Sequence, residues 1–315
     1  MNEREIAEQN TILLIRSGSH LYGTNTPESD EDYLGISIFP KEYYIGLNQC
    51  KEVDCSLVSK DLDGKNNKDA IDKKLYEIRN YVELCRQGNP NIIEILMVND
   101  ENIMCINSFG RKLLANAHLF PSKLVKQRFI GYAISQMKKA TVKPDNFKDL
   151  EFFKQNYDPN VDDRRIVEMQ YLSYGFCRLI TFYNDHATVG GLNFNLNVKM
   201  RKVYDAVITR LGKASHRQDM WLKYGCDVKF LMHCVRLMME GKELLETGRI
   251  QFPLKEKDLL LDIRNGKLSL EQIHQLVAER KDDLETFDGN LPATPNFDLI
   301  NKFLIETVEE FWSCK

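Results

Sequence analysis

The sequence has no long apolar run. Its longest candidates, Thr11 to Ile15 and Ile92 to Val98, have the length of a buried strand or a core helix, not of a membrane span. The acidic first residues, Met1 to Glu5, lack the basic and apolar regions of a signal peptide. We therefore expect a cytoplasmic protein.

The sequence also lacks the Cys and His spacings of a disulfide framework or a structural zinc site. Its six histidines are dispersed, and the one close pair, His233 and Cys234, cannot by itself supply tetrahedral zinc ligands. No CxxC motif is present, so we expect reduced thiols at all eight cysteines: Cys50, Cys55, Cys85, Cys105, Cys177, Cys226, Cys234 and Cys314.

An excess of positive charge is absent as well. The net charge of −3 argues against a generally basic surface that coats nucleic acid. Two local basic stretches remain, Lys123 to Lys143 and Lys199 to Lys202, and both are more typical of solvated helix faces. No internal repeat or low-complexity segment is present, and 315 residues leave room for two domains.

What the sequence does contain is a glycine and a serine followed by paired carboxylates. The apolar run Thr11 to Ile15 predicts a strand that ends near Gly18-Ser19, where backbone N–H groups and a hydroxyl can face a phosphate. After a polar turn, Asp32 opens a second predicted strand, and Asp30 stands two residues before it. Residues at i and i+2 of an extended chain point to the same side, so we expect both carboxylates there. Singly, both motifs are ordinary turns, but in this order they indicate a Mg²⁺-dependent phosphate site.

Two-metal nucleotidyl transfer usually needs a third acid on a neighbouring strand. Asp72 is the preferred candidate, because it opens a short strand on which Lys74 and Tyr76 would share its face. Glu77 is the alternative. It stands at the predicted start of a helix, where capping or the helix dipole gives it an ordinary explanation.

The pattern of short strands and helices up to about residue 108 predicts an α+β protein with a small mixed sheet. We expect strands at 11–16, 32–39 and 70–76, a fainter one from Val53 to Val58, and helices at 77–87 and 90–98. A polar hairpin loop would span Lys60 to Asp69. Residues 1–108 would form the catalytic domain, and 109–315 a mostly helical domain that completes the nucleotide and acceptor cleft.

Apolar residues after 106 recur at helical spacing, which predicts the core faces of a bundle. One such stripe consists of Val167, Tyr171, Tyr174 and Leu179, and its aromatic residues are interpreted as core packing. Two irregular inserts, 141–163 and 184–197, interrupt the helical pattern, and no role is predicted for either.

The motifs together resemble the DNA polymerase β superfamily of nucleotidyltransferases. Within it, the chain is most similar to predicted bacterial and phage nucleotidyltransferases associated with RNA ligases, the RlaP-like family. The resemblance covers most of 11–98 and 224–272, and little of 100–220. The segments that carry it are Gly18 to Thr24, Pro27 to Gly35, Asp72 to Tyr81, Gly88 to Asn91 with Glu94 to Leu96, Asp227 to Leu237, Glu243 to Gly248 and Ile263 to Lys267.

The resemblance implies that Ser19 and the N–H groups after Gly18 hold the phosphates of a nucleoside triphosphate such as ATP. Asp30, Asp32 and Asp72 would hold two Mg²⁺ ions, or Mn²⁺, while an acceptor hydroxyl attacks the α-phosphate and pyrophosphate leaves. An RNA end is the expected acceptor. The alternatives are a small-molecule or protein hydroxyl, or a catalytically silent nucleotide-binding module.

Lys229, His233 and Arg236 stand at i, i+4 and i+7, so one helix face would carry all three. Spacing alone favours a solvated basic face with a histidine at the edge of the core. The resemblance instead favours a triphosphate or acceptor clamp that faces the catalytic cleft. The preferred nucleotide and the oligomeric state have no signal in the sequence.

Overall fold

The computed structural model describes residues 1–27, 29–57, 71–140, 145–160 and 164–314. The predicted hairpin loop at 60–69 lies outside the described residues. The chain divides into two compact units, one formed by Met1–Met137 with Leu231–Lys315 and the other by Lys138–Phe230.

The first unit is built on a five-stranded mixed sheet, as far as its described residues show. The strand order is β3-β4-β2-β1-β5, in which β2 and β4 are parallel and the other neighbours antiparallel. The predicted strands are confirmed in place and type. The strands are β1 Thr11–Arg16, β2 Glu31–Ser37, β3 Glu52–Asp54, β4 Ile71–Glu77 and β5 Ile103–Ile106. Strand β3 is shorter than the strand predicted from Val53 to Val58, and β5 was not predicted.

The helices account for most of the remaining chain, which confirms the predicted α+β class with a mostly helical continuation. The predicted helix at 90–98 is α-helical only at its start and continues as a 3₁₀ helix over Glu94–Met97. In chain order the α-helices are α1 Glu3–Gln9, α2 Gly18–Tyr22, α3 Glu42–Ile45, α4 Ile78–Arg86, α5 Pro90–Ile93, α6 Ser108–Ala115, α7 Leu124–Ala140, α8 Asp145–Asn156, α9 Met200–Tyr224, α10 Val228–Thr247, α11 Lys257–Arg264, α12 Leu270–Thr286 and α13 Phe297–Ser313.

These units do not coincide with the predicted domains 1–108 and 109–315. The C-terminal helices pack on the N-terminal sheet and belong to the same unit. The indole Nε1 of Trp312 donates to the carbonyl of Phe39 at 3.0 Å, and the rings of Phe109 and Phe311 meet edge to face with centroids 5.3 Å apart. Burial of apolar surface from both ends of the chain therefore sets the boundary, and local composition does not report it.

The second unit contains α8, α9 and a three-stranded antiparallel sheet. Its strands are β6 Ile180–Phe182, β7 His186–Val189 and β8 Leu192–Asn195. The β7–β8 hairpin occupies the segment that the sequence presented as the irregular insert 184–197. Gly190 and Gly191 form its turn with φ of 53° and 78°, a conformation that glycine adopts without strain.

The predicted core stripe of Val167, Tyr171, Tyr174 and Leu179 is wrong for its two tyrosines, whereas Leu179 does pack against the core of this unit. The chain there forms two 3₁₀ segments, Ile166–Tyr171 and Gly175–Leu179, in which residues three apart share a face. Ile166 and Met169 are accordingly buried, whereas Tyr171 and Tyr174 are 83% and 53% exposed. The described residues include no helix with the length and hydropathy that crossing a membrane requires.

Candidate active site

The end of strand β1 turns sharply against the start of strand β2. The Ser17 N–H donates to the carbonyl of Asp32 at 2.8 Å, and Gly18 then opens helix α2 with φ +62°. A Cβ atom at Gly18 would lie 2.3 Å from Asp32 Oδ2. Only glycine satisfies both the left-handed backbone and this close approach, so the main chain at residue 18 lies directly beside the Asp32 carboxylate.

Helix α2 is short and ends at once in a second glycine turn. The Thr24 N–H donates to the carbonyl of Ser19 at 2.9 Å, and Gly23 takes φ +74°. Ser19 itself is half-buried. In the described part of the chain, two buried polar atoms of this segment, His20 Nε2 and Thr24 Oγ1, have no hydrogen-bond partner.

Asp32 and Asp72 occupy directly paired positions on the parallel strands β2 and β4. Paired residues of neighbouring strands point to the same face of a sheet, so both carboxylates project from one face. Asp72 Oδ1 accepts a hydrogen bond from Ser56 Oγ at 3.1 Å. The Ser56 Oγ in turn accepts a hydrogen bond from the Lys73 N–H at 3.1 Å. The predicted neighbour-strand acid is thus beside Asp32.

Asp30 is exposed and precedes strand β2 by one residue. The described residues contain no group of three or more His, Cys, Asp or Glu side chains that converges closely enough to hold a metal ion. The structure therefore brings Asp32 and Asp72 together, and it does not close the predicted three-carboxylate cluster with Asp30.

Glu77 has a structural role at the other end of β4. Its buried carboxylate caps helix α4, accepting the N–H groups of Arg79 and Asn80 at 3.0 and 3.1 Å, and it also accepts the hydroxyl of Tyr44. In register it pairs with Ser37, five positions along the strand from Asp72. The capping explanation for Glu77 is confirmed.

Arg236 does not face a cleft, and its predicted role as a phosphate clamp is a correction that the structure requires. Its side chain is 4% exposed. Its Nη1 lies 2.8 Å from both carboxylate oxygens of Glu240 and 3.1 Å from Glu94 Oε2, and its guanidinium covers the ring of Tyr22 at 4.1 Å. A buried arginine that is paired with two carboxyl groups is out of reach of a ligand, and its charge is already compensated.

The three residues of the predicted basic face differ in exposure. Lys229 is exposed near the start of helix α10, His233 is half-buried, and Arg236 is in the core. Apolar burial of Leu231 and Val235 turns this part of the helix inward. The i, i+4, i+7 spacing was real, but the face that it defines runs from the surface into the core.

Two cations that spacing did not single out lie beside the α2 segment. Arg264 Nη1 donates to the carbonyl of Thr24 at 2.8 Å, and Lys257 Cδ would be 3.2 Å from a Cβ at Gly23. Both are on helix α11 and half-buried, and within the described residues neither has a carboxylate partner. The available signal was Arg264 in the family-like segment Ile263 to Lys267.

Arg16, the other cation near the turn, donates from Nε to Asn102 Oδ1 at 3.4 Å. It is half-buried at the end of β1, paired in register with Tyr33. The side-chain hydrogen bond of Arg16 is therefore made to Asn102, directly before strand β5.

The chain is similar in sequence to a known protein family and to a phage protein. A sequence profile of the RNA repair pathway DNA polymerase beta family matches residues 2–175. An uncharacterized 38.9 kDa protein from the nrdC-mobD intergenic region of Enterobacteria phage T4 is 24% identical over 303 residues, covering 87% of this chain and 88% of that protein. A nucleotidyltransferase-like protein from Exiguobacterium sibiricum 255-15 aligns over 98% of this chain and 80% of its own at 10% identity, with a TM-score of 0.25.

Proposed function

The chain belongs to the RNA repair pathway DNA polymerase beta family, and we propose that it is a Mg²⁺-dependent nucleotidyltransferase. It would transfer a nucleoside monophosphate from a nucleoside triphosphate to an acceptor hydroxyl and release pyrophosphate. The observation that carries this proposal is the pairing of Asp32 with Asp72 across parallel strands, beside the main chain of Gly18.

The donor set fits the metal. Magnesium is a hard cation that proteins bind through one or two carboxylates, with substrate phosphates completing the shell. Asp32 and Asp72 supply two such carboxylates on one face, and the absence of a side chain at Gly18 leaves room for the Asp32 oxygens. Asp30 would join them from the exposed turn before β2. When bound, the metal would neutralise phosphate charge as a Lewis acid.

The protein's own groups would position the reactants. Ser19 and the N–H groups that follow Gly18 would bind the phosphates, and Lys257 and Arg264 would offset the charge of the leaving pyrophosphate. The acceptor's oxygen would form a bond to the α-phosphorus while the bond to the bridging oxygen of the β-phosphate breaks. Asp72 would take the proton of the acceptor hydroxyl.

The acceptor that we propose is an RNA end, in keeping with the family, and a small-molecule or protein hydroxyl is the alternative substrate. A silent nucleotide-binding module is the alternative from another class. It is favoured by one observation, that the described residues close no group of three metal-binding side chains.

Pyrophosphate release tests the proposal. Each of the four nucleoside triphosphates would be supplied with Mg²⁺ or Mn²⁺, with and without short RNAs that differ at their ends. Release should require metal and RNA and should fall by about a hundredfold or more in Asp32→Asn. Glu31→Gln is the matched control, because it removes a neighbouring carboxylate that strand alternation places on the opposite face.

Nucleotide binding without release, in a wild-type protein supplied with every acceptor, would overturn the enzymatic proposal in favour of the silent module. Equal loss in Asp32→Asn and Glu31→Gln would instead overturn the assignment of the site. Both variants would be compared with wild type by thermal unfolding, so that a folding defect is separated from lost chemistry.

A further inference from the structure

Exposed aromatic rings are concentrated in one stretch of the second unit. Of the four well-exposed aromatic side chains among the described residues, Tyr171, Tyr174 and Tyr183 lie within 13 residues, and they are 83%, 53% and 51% exposed. The fourth, Phe297, is in the first unit. Single exposed rings are ordinary on protein surfaces, but three in one stretch are the pattern of a contact surface.

Two of these tyrosines are held in fixed orientations. The ring of Tyr183 stacks on His186 with centroids 4.5 Å apart and an interplanar angle of 7°, and the ring of Tyr174 stacks on Phe176 at 5.7 Å and 9°. About half of each tyrosine side chain remains exposed. A ring that is already immobilised loses little conformational entropy when another planar group stacks on it.

Tyr174 lines an open cavity of about 450 Å³, and the chain neighbours of the other two tyrosines, Leu172 and Phe182, line it as well. Its lining combines apolar side chains with Gln170, Ser173, Tyr174 and Arg178. A cavity of this size accommodates a small organic molecule, and its mixed lining offers both a stacking surface and hydrogen-bond groups. One unpaired nucleotide, with a flat base and a charged phosphate, has that combination of chemistry.

The charged groups of this surface favour an anion. Arg178 is exposed, lies over the ring of Phe152 at 4.7 Å, and has no carboxylate partner within the described residues. The acids on the same elements are engaged locally, because Glu168 accepts the Arg165 N–H at 2.7 Å and Asp185 lies 2.7 Å from His186 Nδ1. Arg178 is therefore the charged side chain of the cavity lining, and the guanidinium of Arg164 lies over the neighbouring ring of Tyr174 at 5.7 Å.

The charge of the whole unit points the same way. Residues 138–230 contain 16 Lys and Arg against 11 Asp and Glu, a net charge of +5, whereas the remainder of the chain carries −8. The total of −3 conceals this division. A polyanion would be attracted to the second unit, and an acidic or neutral protein partner would not need the combination of arginine with stacked tyrosines.

We propose that Tyr171, Tyr174, Tyr183 and Arg178, named here the tyrosine surface, form a binding site for single-stranded nucleic acid. Unpaired bases stack on the tyrosine rings, and Arg178 contacts a phosphate or a base face. Duplex bases are stacked on each other and cannot use the rings, so the surface prefers single strands. This binding does not depend on nucleotide transfer and is measured without a nucleoside triphosphate or Mg²⁺.

Fluorescence anisotropy with the full chain tests the proposal. The probes are a fluorescein-labelled 12-nucleotide RNA of mixed sequence, the DNA of the same sequence, and the duplex of each. We expect single strands to bind more tightly than duplexes, binding to weaken with added salt, and the Tyr171→Ala, Tyr174→Ala, Tyr183→Ala triple variant to weaken single-strand binding at least tenfold. Arg178→Gln should weaken it severalfold and reduce the salt dependence.

Two matched controls separate this surface from general effects. Phe297→Ala removes an exposed ring from the first unit, and Arg210→Gln removes an exposed charge from helix α9, which does not line the cavity. Both should bind like wild type. The proposal is overturned if wild type binds no single strand, if the triple variant binds like wild type, or if Phe297→Ala weakens binding as much. Comparison of the RNA and DNA arms identifies which nucleic acid the surface takes.

Discussion

The guanidinium of Arg236 lies 2.8 Å from both carboxylate oxygens of Glu240, one helical turn along α10. This pair is buried, and a second carboxylate, that of Glu94, accepts hydrogen bonds from both the Arg236 guanidinium and the Tyr22 hydroxyl. Tyr22 is the last residue of helix α2, the helix that Gly18 and Ser19 open. A buried charge network thus anchors the far end of the candidate phosphate-binding segment.

We predict that Arg236→Met destabilises the protein by about 3 kcal/mol or more, because it leaves two buried carboxyl groups without the cation and the hydrogen-bond donor that they share. Urea unfolding at neutral pH measures the loss. Lys302→Met is the matched control, since its cation is exposed and pairs with Glu306 at 3.8 Å on the surface. A stable Arg236→Met protein that fails to bind nucleotide would contradict the structural role and support the predicted phosphate clamp instead.

The same network predicts a pH dependence. Burial raises the pKa of Glu240 from its ordinary value of 4.5 to about 8, and it raises the pKa of Glu94 as well, because two carboxyl groups share one arginine out of contact with water. A carboxyl group whose pKa is higher in the folded chain binds its proton more tightly there. Its stabilisation is complete below about pH 4.5 and is lost as the pH rises through 8.

Glu240→Gln, which cannot ionise, should therefore gain stability relative to wild type as the pH rises from 5 to 9. The measurement is the difference between the two free energies of unfolding across that range, in which groups that titrate alike in both proteins cancel. If wild type instead becomes more stable than the glutamine variant as the pH rises, an ionised Glu240 is the favoured partner of Arg236.

Gly18→Ala should damage both stability and activity. The left-handed backbone costs an alanine about 1 kcal/mol, and the new methyl group would displace the Asp32 carboxylate that lies 2.3 Å from its position. Gly131→Ala in helix α7 has open space around the new atom and should instead stabilise the protein by about 0.5–1 kcal/mol. Thermal unfolding and pyrophosphate release, measured on both variants, check this contrast. A fully active Gly18→Ala protein would contradict the prediction.

Substitutions of Asp72 and of Glu77 should have different effects on activity and stability. Asp72→Asn is expected to abolish pyrophosphate release with little change in stability, because Asp72 is exposed. Glu77→Ala is expected to lower stability by about 1–2 kcal/mol through the lost cap of α4, with turnover per folded molecule retained. The reverse pattern would make Glu77 the third acid.

Local patterns predicted strands β1, β2 and β4 and the turn at Gly18, because period-two alternation and glycine turns are encoded over a few residues. They also placed Asp72 at the start of a strand, whereas its role as the third acid stays a prediction. These patterns did not predict that β2 pairs with β4, or the register in which Asp32 lies opposite Asp72. Register depends on contacts between segments 40 residues apart. The sequence indicated only that both segments were strands.

The mistakes have equally specific causes. Arg236 was interpreted as a surface cation although Glu240, at i+4, was visible as its partner, since helical spacing alone does not tell an exposed pair from a buried one. Tyr171 and Tyr174 were predicted in the core because an α-helical period was assumed, whereas Tyr171 ends one 3₁₀ segment and Tyr174 precedes the next, and both are exposed. In both cases the error was in the depth of the side chain, which tertiary packing decides.

Lys257 and Arg264 give the last prediction, which concerns the phosphates of the donor nucleotide. Both cations lie against the loop at Gly23 and Thr24, where the structure gives them no acid partner among the described residues. Lys257→Gln and Arg264→Gln should each weaken binding of a nucleoside triphosphate by about tenfold and flatten its salt dependence, because a lost cation removes one charge-assisted contact. Lys267→Gln, whose cation already pairs with Asp262 at 2.7 Å, should bind like wild type. Titration of a fluorescent triphosphate with Ca²⁺ in place of Mg²⁺ measures binding without turnover. If all three variants bind equally well, helix α11 holds the loop in place and contributes no charge to the nucleotide.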